Sequence, residues 1–350
     1  MKSNKPTSFD IAYRAGVSQP TVSRALRNSP LVNKETRERV QAIARELNYK
    51  VDINARKLRS KESKTFALLF SEDPGSTDTA ISPFFLSILA NITRSSARRG
   101  YDLLISFQHY SDNWGADYED THKADGIIFL GYGDYLTYIK KIAQLDEMGA
   151  HFVAWGPVMA NQPGHFIGCD NIDGGYQATK HLISLGHSKI AFLGTTGDSS
   201  PEMASRYQGY TKALLEANIV VEPSLQSDAN ANDRDGSEGM EALLQARDDF
   251  TAVFCASDVI AMNAIRALSK YGKRVPEDIA VIGFDDIPMS SFCSPPLTTV
   301  KQDTQLAGEM LVEKLINLIE GKEINSVQLP TKLIVRESCG ALHKAQLSDK

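Results

Sequence analysis

The 350-residue sequence lacks the features that mark membrane, secreted and zinc-stabilised proteins. It has no run of about 18 apolar residues, which excludes a helix spanning a bilayer. Residues 1–7 contain no apolar core, so we expect no secretory signal. The four cysteines are far apart and form no CxxC pair, which argues against a zinc site and a disulfide framework. They are Cys169, Cys255, Cys293 and Cys339. We therefore expect a cytoplasmic protein that holds no metal and needs no cofactor.

Motifs of the common enzyme classes are also missing. The sequence has no GxSxG, no HExxH and no glycine-rich loop ending in Gly-Lys-Ser/Thr, and Gly131-Tyr132-Gly133 lacks the third glycine of a dinucleotide fingerprint. His181 and His187 are six residues apart, a poor helical spacing for a shared metal. The sequence predicts that the protein is not an enzyme.

Charge is divided unevenly along the chain. Residues 1–64 contain 15 Lys or Arg against 6 Asp or Glu, whereas the rest contains 23 basic and 37 acidic residues. A small basic head on an acidic body indicates that the head meets a polyanion and the body meets something else. On charge alone, a solvated basic face without a partner is the alternative.

The head has the pattern of a helix-turn-helix. Helices are predicted over residues 8–15, 18–27 and 33–48. In the first helix Phe9, Ile11 and Ala12 are the expected core positions. Ala12, Gly16 and Val22 have the spacing that lets the second helix cross the first closely after a tight turn.

The second helix is polar and carries residue types that read DNA. Gln19 and Arg24 can reach base edges in the major groove, where Gln favours adenine and Arg favours guanine. Thr21, Ser23 and Thr36 are short donors better suited to phosphates. Together with the basic excess, these residues predict a DNA-binding head.

The run from Phe9 to Leu26 resembles the headpiece of the LacI/GalR family of bacterial transcription regulators. The likeness continues through residues 36–40, 46–49 and 54–58, the last of which is similar to the family's hinge helix. It implies a homodimer on a pseudo-palindromic operator, with two headpieces in major grooves about 34–36 Å apart. The resemblance implies DNA contacts from Thr7, Ser18, Gln19, Pro20, Thr21, Ser23, Arg24, Thr36, Tyr49, Ala55 and Leu58.

In the hinge, Leu58 matches the leucine that the family wedges into the minor groove from two subunits. Such a wedge unstacks a base step and bends the duplex; packing of Leu58 on the body is the alternative. Val51-Asp52 stand where the family usually has proline and asparagine. We therefore expect a looser hinge, in which Asp52 repels phosphate.

From residue 66 onward, apolar runs alternate with amphipathic helical stretches. The runs that indicate buried parallel strands are 66–70, 103–106, 126–130, 151–155, 190–193, 252–255 and 279–282. Helices are predicted over about 84–99, 137–147, 174–185, 204–217, 236–246, 258–271 and 304–320. This alternation over some 280 residues predicts an α/β fold of two doubly wound parallel-sheet subdomains.

The resemblance extends over the body, through Asp170-Asn171, Gly186-His187, Arg206 with Gly209, and residues 283–286 and 294–303. It implies a body similar to a periplasmic sugar-binding protein, with crossings between subdomains near 165, 293–303 and 327–332. The implied division is a headpiece 1–49, a hinge 50–63, a body 64–342 and a tail 343–350. Within the body it is an N-subdomain of about 64–165 and 296–328 and a C-subdomain of about 166–295 and 329–342.

A small effector is expected in the cleft, because ligands of such folds bind beyond the carboxyl ends of the strands. Arg206 and Asp285 match family positions that grip effector hydroxyls or polar edges, and a charged fork beside a carboxylate suits a polyol. The other candidate effector residues are Phe84, Phe85, Trp155, Arg234 and Ser257. A surface ion pair for Arg206, a capping role for Asp285 and core packing of the aromatics are the alternatives.

The resulting hypothesis is a DNA-binding transcriptional regulator, a repressor in the family's usual mode, whose operator affinity a sugar or sugar derivative controls. The alternatives are a sugar sensor without specific DNA readout, a regulator that responds to a purine or a phosphorylated partner protein, and an enzyme on the same scaffold.

Overall fold

The computed structural model describes residues 6–49, 62–70, 81–111, 113–229 and 235–341. The chain divides into two compact units, Met1–Glu62 and Ser63–Lys350. The predicted hinge contacts Ala55 and Leu58, the Val51-Asp52 pair and the tail 343–350 lie outside the described residues. No helix in the described part of the chain is long and apolar enough to cross a membrane.

Three helices form the first unit, at the predicted positions to within two residues. They are α1 (Ser8–Ala15), α2 (Gln19–Leu26) and α3 (Lys34–Glu46). Thr7 caps α1 through a capping box with Asp10, and Gly16 ends the helix in the left-handed conformation at φ 64°. Ser18 caps α2, whose first turn contains Pro20, and Asn33 caps α3.

A small core joins these helices. Ile11, Val22 and Val40 are fully buried, and Ala12 and Ala15 complete the α1 side. The prediction that Phe9 belongs to this core is wrong, because 68% of its surface is exposed. Ile11, Ala12 and Ala15 form one face of α1, and Phe9 lies on another.

The first sheet of the body has the strand order β11-β5-β4-β3-β1-β2, and its pairings are parallel. Its strands are β1 (Thr65–Phe70), β2 (Asp102–Phe107), β3 (Gly126–Leu130), β4 (Phe152–Trp155), β5 (Phe166–Cys169) and β11 (Val327–Leu329). The inner strands β1, β3 and β4 are buried as predicted. The prediction of a buried strand at 103–106 is wrong in one respect: β2 is an edge strand, so Ile105 is half exposed.

The second sheet has the order β12-β10-β9-β8-β6-β7. Its strands are β6 (Ile190–Leu193), β7 (Gln226–Ser227), β8 (Ala252–Cys255), β9 (Ala280–Asp285), β10 (Thr298–Gln302) and β12 (Thr331–Ile334). Strand β12 runs antiparallel to β10, while the other pairings in this sheet are parallel. An antiparallel strand at one edge is a common addition to a parallel sheet.

Helices separate the strands as the alternating pattern predicts. They are α4 (Pro83–Arg98), α5 (Tyr135–Glu147), α6 (Asn171–Ser184), α7 (Pro201–Glu216), α8 (Asp235–Ala246), α9 (Asp258–Lys270) and α10 (Thr304–Ile319). Short 3₁₀ turns lie at Gln108–Tyr110, Pro223–Leu225 and Pro288–Ser291, and a π-helical turn lies at Ala116–Asp120.

The chain crosses between the two sheets three times, after β5, after β10 and between β11 and β12. The predicted subdomain boundaries at 165/166 and 295/296 are therefore wrong. The first sheet continues to residue 169 at the end of β5, and the second continues to residue 302 at the end of β10. Strand β5 belongs to the first sheet because it pairs with β4, and β10 belongs to the second because it pairs with β9.

Candidate functional site

In the head, α2 presents the candidate base-reading residues. The side chain of Arg24 is exposed, and within the described residues its guanidinium has no hydrogen-bond or ion-pair partner. Gln19 is half-buried and donates from Nε2 to the Ser8 hydroxyl at 3.2 Å. Arg24 can therefore bind a base edge without breaking a hydrogen bond or ion pair within the head.

The shorter candidates on the head are engaged in local hydrogen bonds. The hydroxyls of Ser18 and Thr21 lie 2.8 Å apart, and Arg27 donates to the Ser23 hydroxyl at 3.0 Å. The Thr7 hydroxyl donates to Asp10 at 2.8 Å. The first contact lies at the start of α2, the second at its end, and the third at the start of α1. The remaining candidates are the exposed Pro20 in α2, the half-buried Thr36 in α3 and Tyr49, which packs on the head core.

In the body, a cleft of about 220 Å³ lies between the two sheets, at the carboxyl ends of their strands. Six of the seven candidate effector residues line it: Phe84, Phe85, Trp155, Arg206, Ser257 and Asp285. Arg234 lies outside the described residues. The volume is below the roughly 300–1,000 Å³ of most ligand pockets, which favours a small ligand.

One wall of the cleft is aromatic. The Phe84 ring lies 5.8 Å from the Trp155 ring and 5.6 Å from the Phe85 ring, measured between centroids. Phe84 and Trp155 are nearly buried, Phe85 is half-buried, and Tyr132 lines the cleft with them. Such a surface suits the apolar face of a ring-shaped ligand.

The opposite wall is built around Arg206, which is 7% exposed. Its Nε donates to the Asn171 side-chain oxygen at 2.8 Å, and Nη1 donates to the Ala256 carbonyl. The guanidinium stacks on the Phe284 ring, 3.8 Å from its centroid, and Nη1 lies 3.7 Å from the Asp285 carboxylate. Arg206 is thus rigidly held and pairs inside the cleft rather than at the surface.

Asp285 ends strand β9 with φ 118°, a backbone conformation that is costly for a residue with a side chain. Its carboxylate accepts a 2.7 Å bond from the Gln302 amide. Burial raises the pKa of Asp285, although Arg206 and Gln302 oppose the shift. Strain and burial at one carboxylate are typical of a binding position.

Beneath Asp285 lies a second carboxylate, Asp258, which is completely buried. It accepts bonds from the Ile287 N–H at 2.9 Å, the Ser290 hydroxyl at 2.6 Å and the Thr299 hydroxyl. Burial and the neighbouring Asp285 raise the pKa of Asp258. Asp258 therefore ties the loop after β9 to strand β10, directly behind the cleft.

Ser257 has a structural role as well as a place in the cleft. It is the N-cap of α9, and its hydroxyl accepts from the Ile260 N–H at 3.2 Å. A serine is a preferred residue at this position whatever the ligand.

Sequence reasoning missed several residues that line the cleft, among them Tyr132, Asn171, Glu202 and Gln302. Asn171 and Gln302 stood in the runs that carried the family resemblance, but their side chains were given no role. Glu202 lies just before the helix predicted at 204–217, and only the structure, in which the helix begins at Pro201, places it on one face with Arg206. Within the described residues, no cluster of three His, Cys, Asp or Glu side chains could hold a metal ion.

Two family profiles match the chain. Residues 9–52 match "Bacterial regulatory proteins, lacI family", and residues 179–339 match "Periplasmic binding protein-like domain". The first match contains the helix-turn-helix, and the second contains Arg206, Ser257 and Asp285.

Relatives of known name match over almost the whole chain. The HTH-type transcriptional repressor PurR of Haemophilus influenzae (strain PittEE) is 33% identical over 95% of this chain and 98% of its own. A solved transcriptional regulator CelR–cellobiose complex is 32% identical, with a TM-score of 0.70 over 95% of this chain and 99% of that one. A lac repressor dimer bound to operator and the anti-inducer ONPF is 28% identical, with a TM-score of 0.82 over 96% and 99%.

Proposed function

The chain belongs to the lacI family of bacterial regulatory proteins, and from this premise we propose that it represses transcription under the control of a sugar bound in the cleft. It acts as a homodimer on a pseudo-palindromic operator, and its cleft binds a ligand without catalysing a reaction. The observation that carries the proposal is the facing pair of Arg206 and Asp285 opposite an aromatic wall.

Support for the DNA part comes from the head. The exposed Arg24 guanidinium is free to form a bidentate contact with guanine, and capped helix termini fix the orientation of α2. The hinge with Ala55 and Leu58 completes the proposed DNA contact, with Leu58 as the minor-groove wedge.

Support for the sugar comes from the chemistry of the cleft. A carboxylate, an amide and a guanidinium that face an aromatic surface match the hydroxyl edge and the apolar face of a sugar ring. The cellobiose in the related CelR complex makes this disaccharide the first ligand to test.

The proposal is tested by fluorescence anisotropy on a duplex that the full-length protein selects from a random library, with a panel of mono- and disaccharides that includes cellobiose, and with purines. We expect Arg24→Ala to weaken binding to the selected duplex by about 1–3 kcal/mol and to reduce its preference over random DNA. Arg45→Ala, which removes an exposed charge from α3, is the matched control and is expected to preserve that preference.

In the same assay Asp285→Asn is expected to leave operator affinity intact and to reduce the affinity for the active sugar by about tenfold or more, because a charged acceptor is lost. Asp198→Asn, at an exposed aspartate, is the control. A purine as the sole active compound would replace the sugar in this proposal. If the selected duplex binds no better than random DNA and no compound changes its binding, the proposed function is wrong.

A further inference from the structure

The cleft contains a carboxylate that neither the Arg206–Asp285 pair nor the aromatic wall accounts for. Glu202 lies in the first turn of α7, four residues before Arg206 on the same helix. It lines the cleft, and a Cβ placed on Gly156 of the opposite wall would lie 3.9 Å from its Oε1. The carboxylate thus lies where the two walls approach each other.

The surroundings of Glu202 stabilise its charge only in part. Within the described residues, no other side chain donates a hydrogen bond to it. A carboxylate in the first turn of a helix is normally stabilised by the helix dipole. Here burial outweighs that effect and raises the pKa of Glu202 to about 7, although its own backbone N–H and Arg206 oppose the shift. A bound ligand could therefore supply the hydrogen-bond donor that the Glu202 carboxylate lacks.

The charges of the cleft do not balance. Arg206 is the one basic side chain among the described residues that line it, and it already pairs with Asp285. The ionised Glu202 thus leaves one uncompensated negative charge in a half-enclosed cleft, where like charges repel. An anionic ligand would face this charge, whereas a hydroxyl would donate to it.

We infer that Glu202 is a specificity-determining residue, which accepts a hydroxyl hydrogen bond from an uncharged polyol and excludes anionic sugar derivatives from the cleft. This inference rests on the proposed function, because it assumes that the cleft binds the effector. According to this inference, the cleft binds neutral sugars and excludes their phosphorylated and oxidised forms.

The test uses two matched pairs of probes at pH 8: cellobiose with cellobionate, and ribose with ribose 5-phosphate. Isothermal titration measures each affinity for the wild-type protein, for Glu202→Gln and for Glu238→Gln, which removes an exposed carboxylate on α8 as a control. The Gln variant keeps the size of the side chain and one acceptor oxygen, so it is expected to fold.

We expect Glu202→Gln to gain about tenfold in affinity for an anionic probe and to lose roughly fivefold for a neutral one, with Glu238→Gln unchanged. No gain for either anion overturns the inference, as does an anion that binds the wild-type protein more tightly than its neutral partner. If the anions gain but no neutral sugar binds any variant, Glu202 excludes anions as inferred, but its bond to a polyol and the sugar in the proposed function are both wrong. If neutral sugars bind and the anions gain nothing, only the inference fails.

Discussion

At the scale of single residues, the cleft between the two sheets and the layer directly behind it concentrate carboxyl groups whose pKa is raised. Glu202 and Asp285 line the cleft, and Asp258 lies behind Asp285. Burial is the main cause of the shift for all three. Such a cluster lowers stability when it ionises, so it is maintained at a cost to the fold.

This cluster predicts the sign of the pH dependence of stability. Burial raises the pKa of Glu202 from 4.5 to about 7, so between these values the folded state binds more protons and the free energy of unfolding falls as the pH rises. Glu202→Gln is therefore expected to have a smaller drop in Tm between pH 5 and pH 8 than the wild-type protein, with a remaining drop from Asp258 and Asp285. Differential scanning calorimetry across this range checks it, and parallel curves for the two proteins would contradict it.

The sequence was a good guide to some of these residues and a poor guide to others. Arg206, Asp285, Phe84 and Phe85 are predicted because they match motif positions of the family, and Trp155 is predicted because it ends a strand. Glu202 was not found, because a glutamate in the first turn of a helix is ordinary in a sequence. Only the fold shows that this one is half-buried in the cleft, close to Gly156 of the opposite wall.

At the scale of elements, the site depends on the close crossing of α6 and α7. A Cβ on Gly175 would collide with the Arg206 carbonyl, and one on Gly209 would collide with the Ile172 carbonyl. The two backbones touch at this crossing because both helices have glycine there. This contact holds Arg206 of α7 against Asn171 of α6.

Gly209→Ala is therefore expected to destabilise the body by about 3 kcal/mol and to weaken sugar binding, because the helices must separate and Arg206 moves with α7. Urea unfolding and ligand titration measure the two effects. Gly197→Ala is the control, since a Cβ there has no atom within 4 Å. Equal stability of both variants would show that the crossing tolerates a side chain.

Elements were predictable from the sequence where burial makes a strand continuously apolar. Strands β1, β3, β4, β6 and β8 are of this kind. Strands β5, β7, β10, β11 and β12 were missed, because they are short or contain polar residues such as Gln302 and Lys332. Strand β2 is predicted as an inner strand, because its apolar sequence does not reveal that it lies at the edge of the sheet.

At the scale of the whole molecule, two units of very different size share one chain. The head packs a few aliphatic side chains from three short helices, while the body buries two sheets and the helices that cover them. A core as small as that of the head is marginally stable by itself. The net positive charge of the head lowers its stability further in the absence of DNA.

We therefore expect urea to unfold the head before the body. Both tryptophans, Trp114 and Trp155, are buried in the body, so tryptophan fluorescence reports its unfolding, whereas circular dichroism at 222 nm follows the helices of both units. An early phase in the dichroism that fluorescence lacks is the expected result, and an effective sugar should delay the later phase alone. Coincident transitions by both probes would show that the two units unfold together.

The three chain crossings between the sheets leave few ways for the two halves of the body to move. Sliding or separation would stretch all three links at once, so rotation is the motion that they permit at low cost. Two of these links are joined where the Asp170 N–H donates to the Leu329 carbonyl at 2.9 Å. The third begins at Gln302, whose amide holds Asp285 in the cleft. A molecule that contacts Asp285 therefore lies close to the axis of this rotation. A small displacement at the cleft then becomes a larger one at the far end of each half of the body.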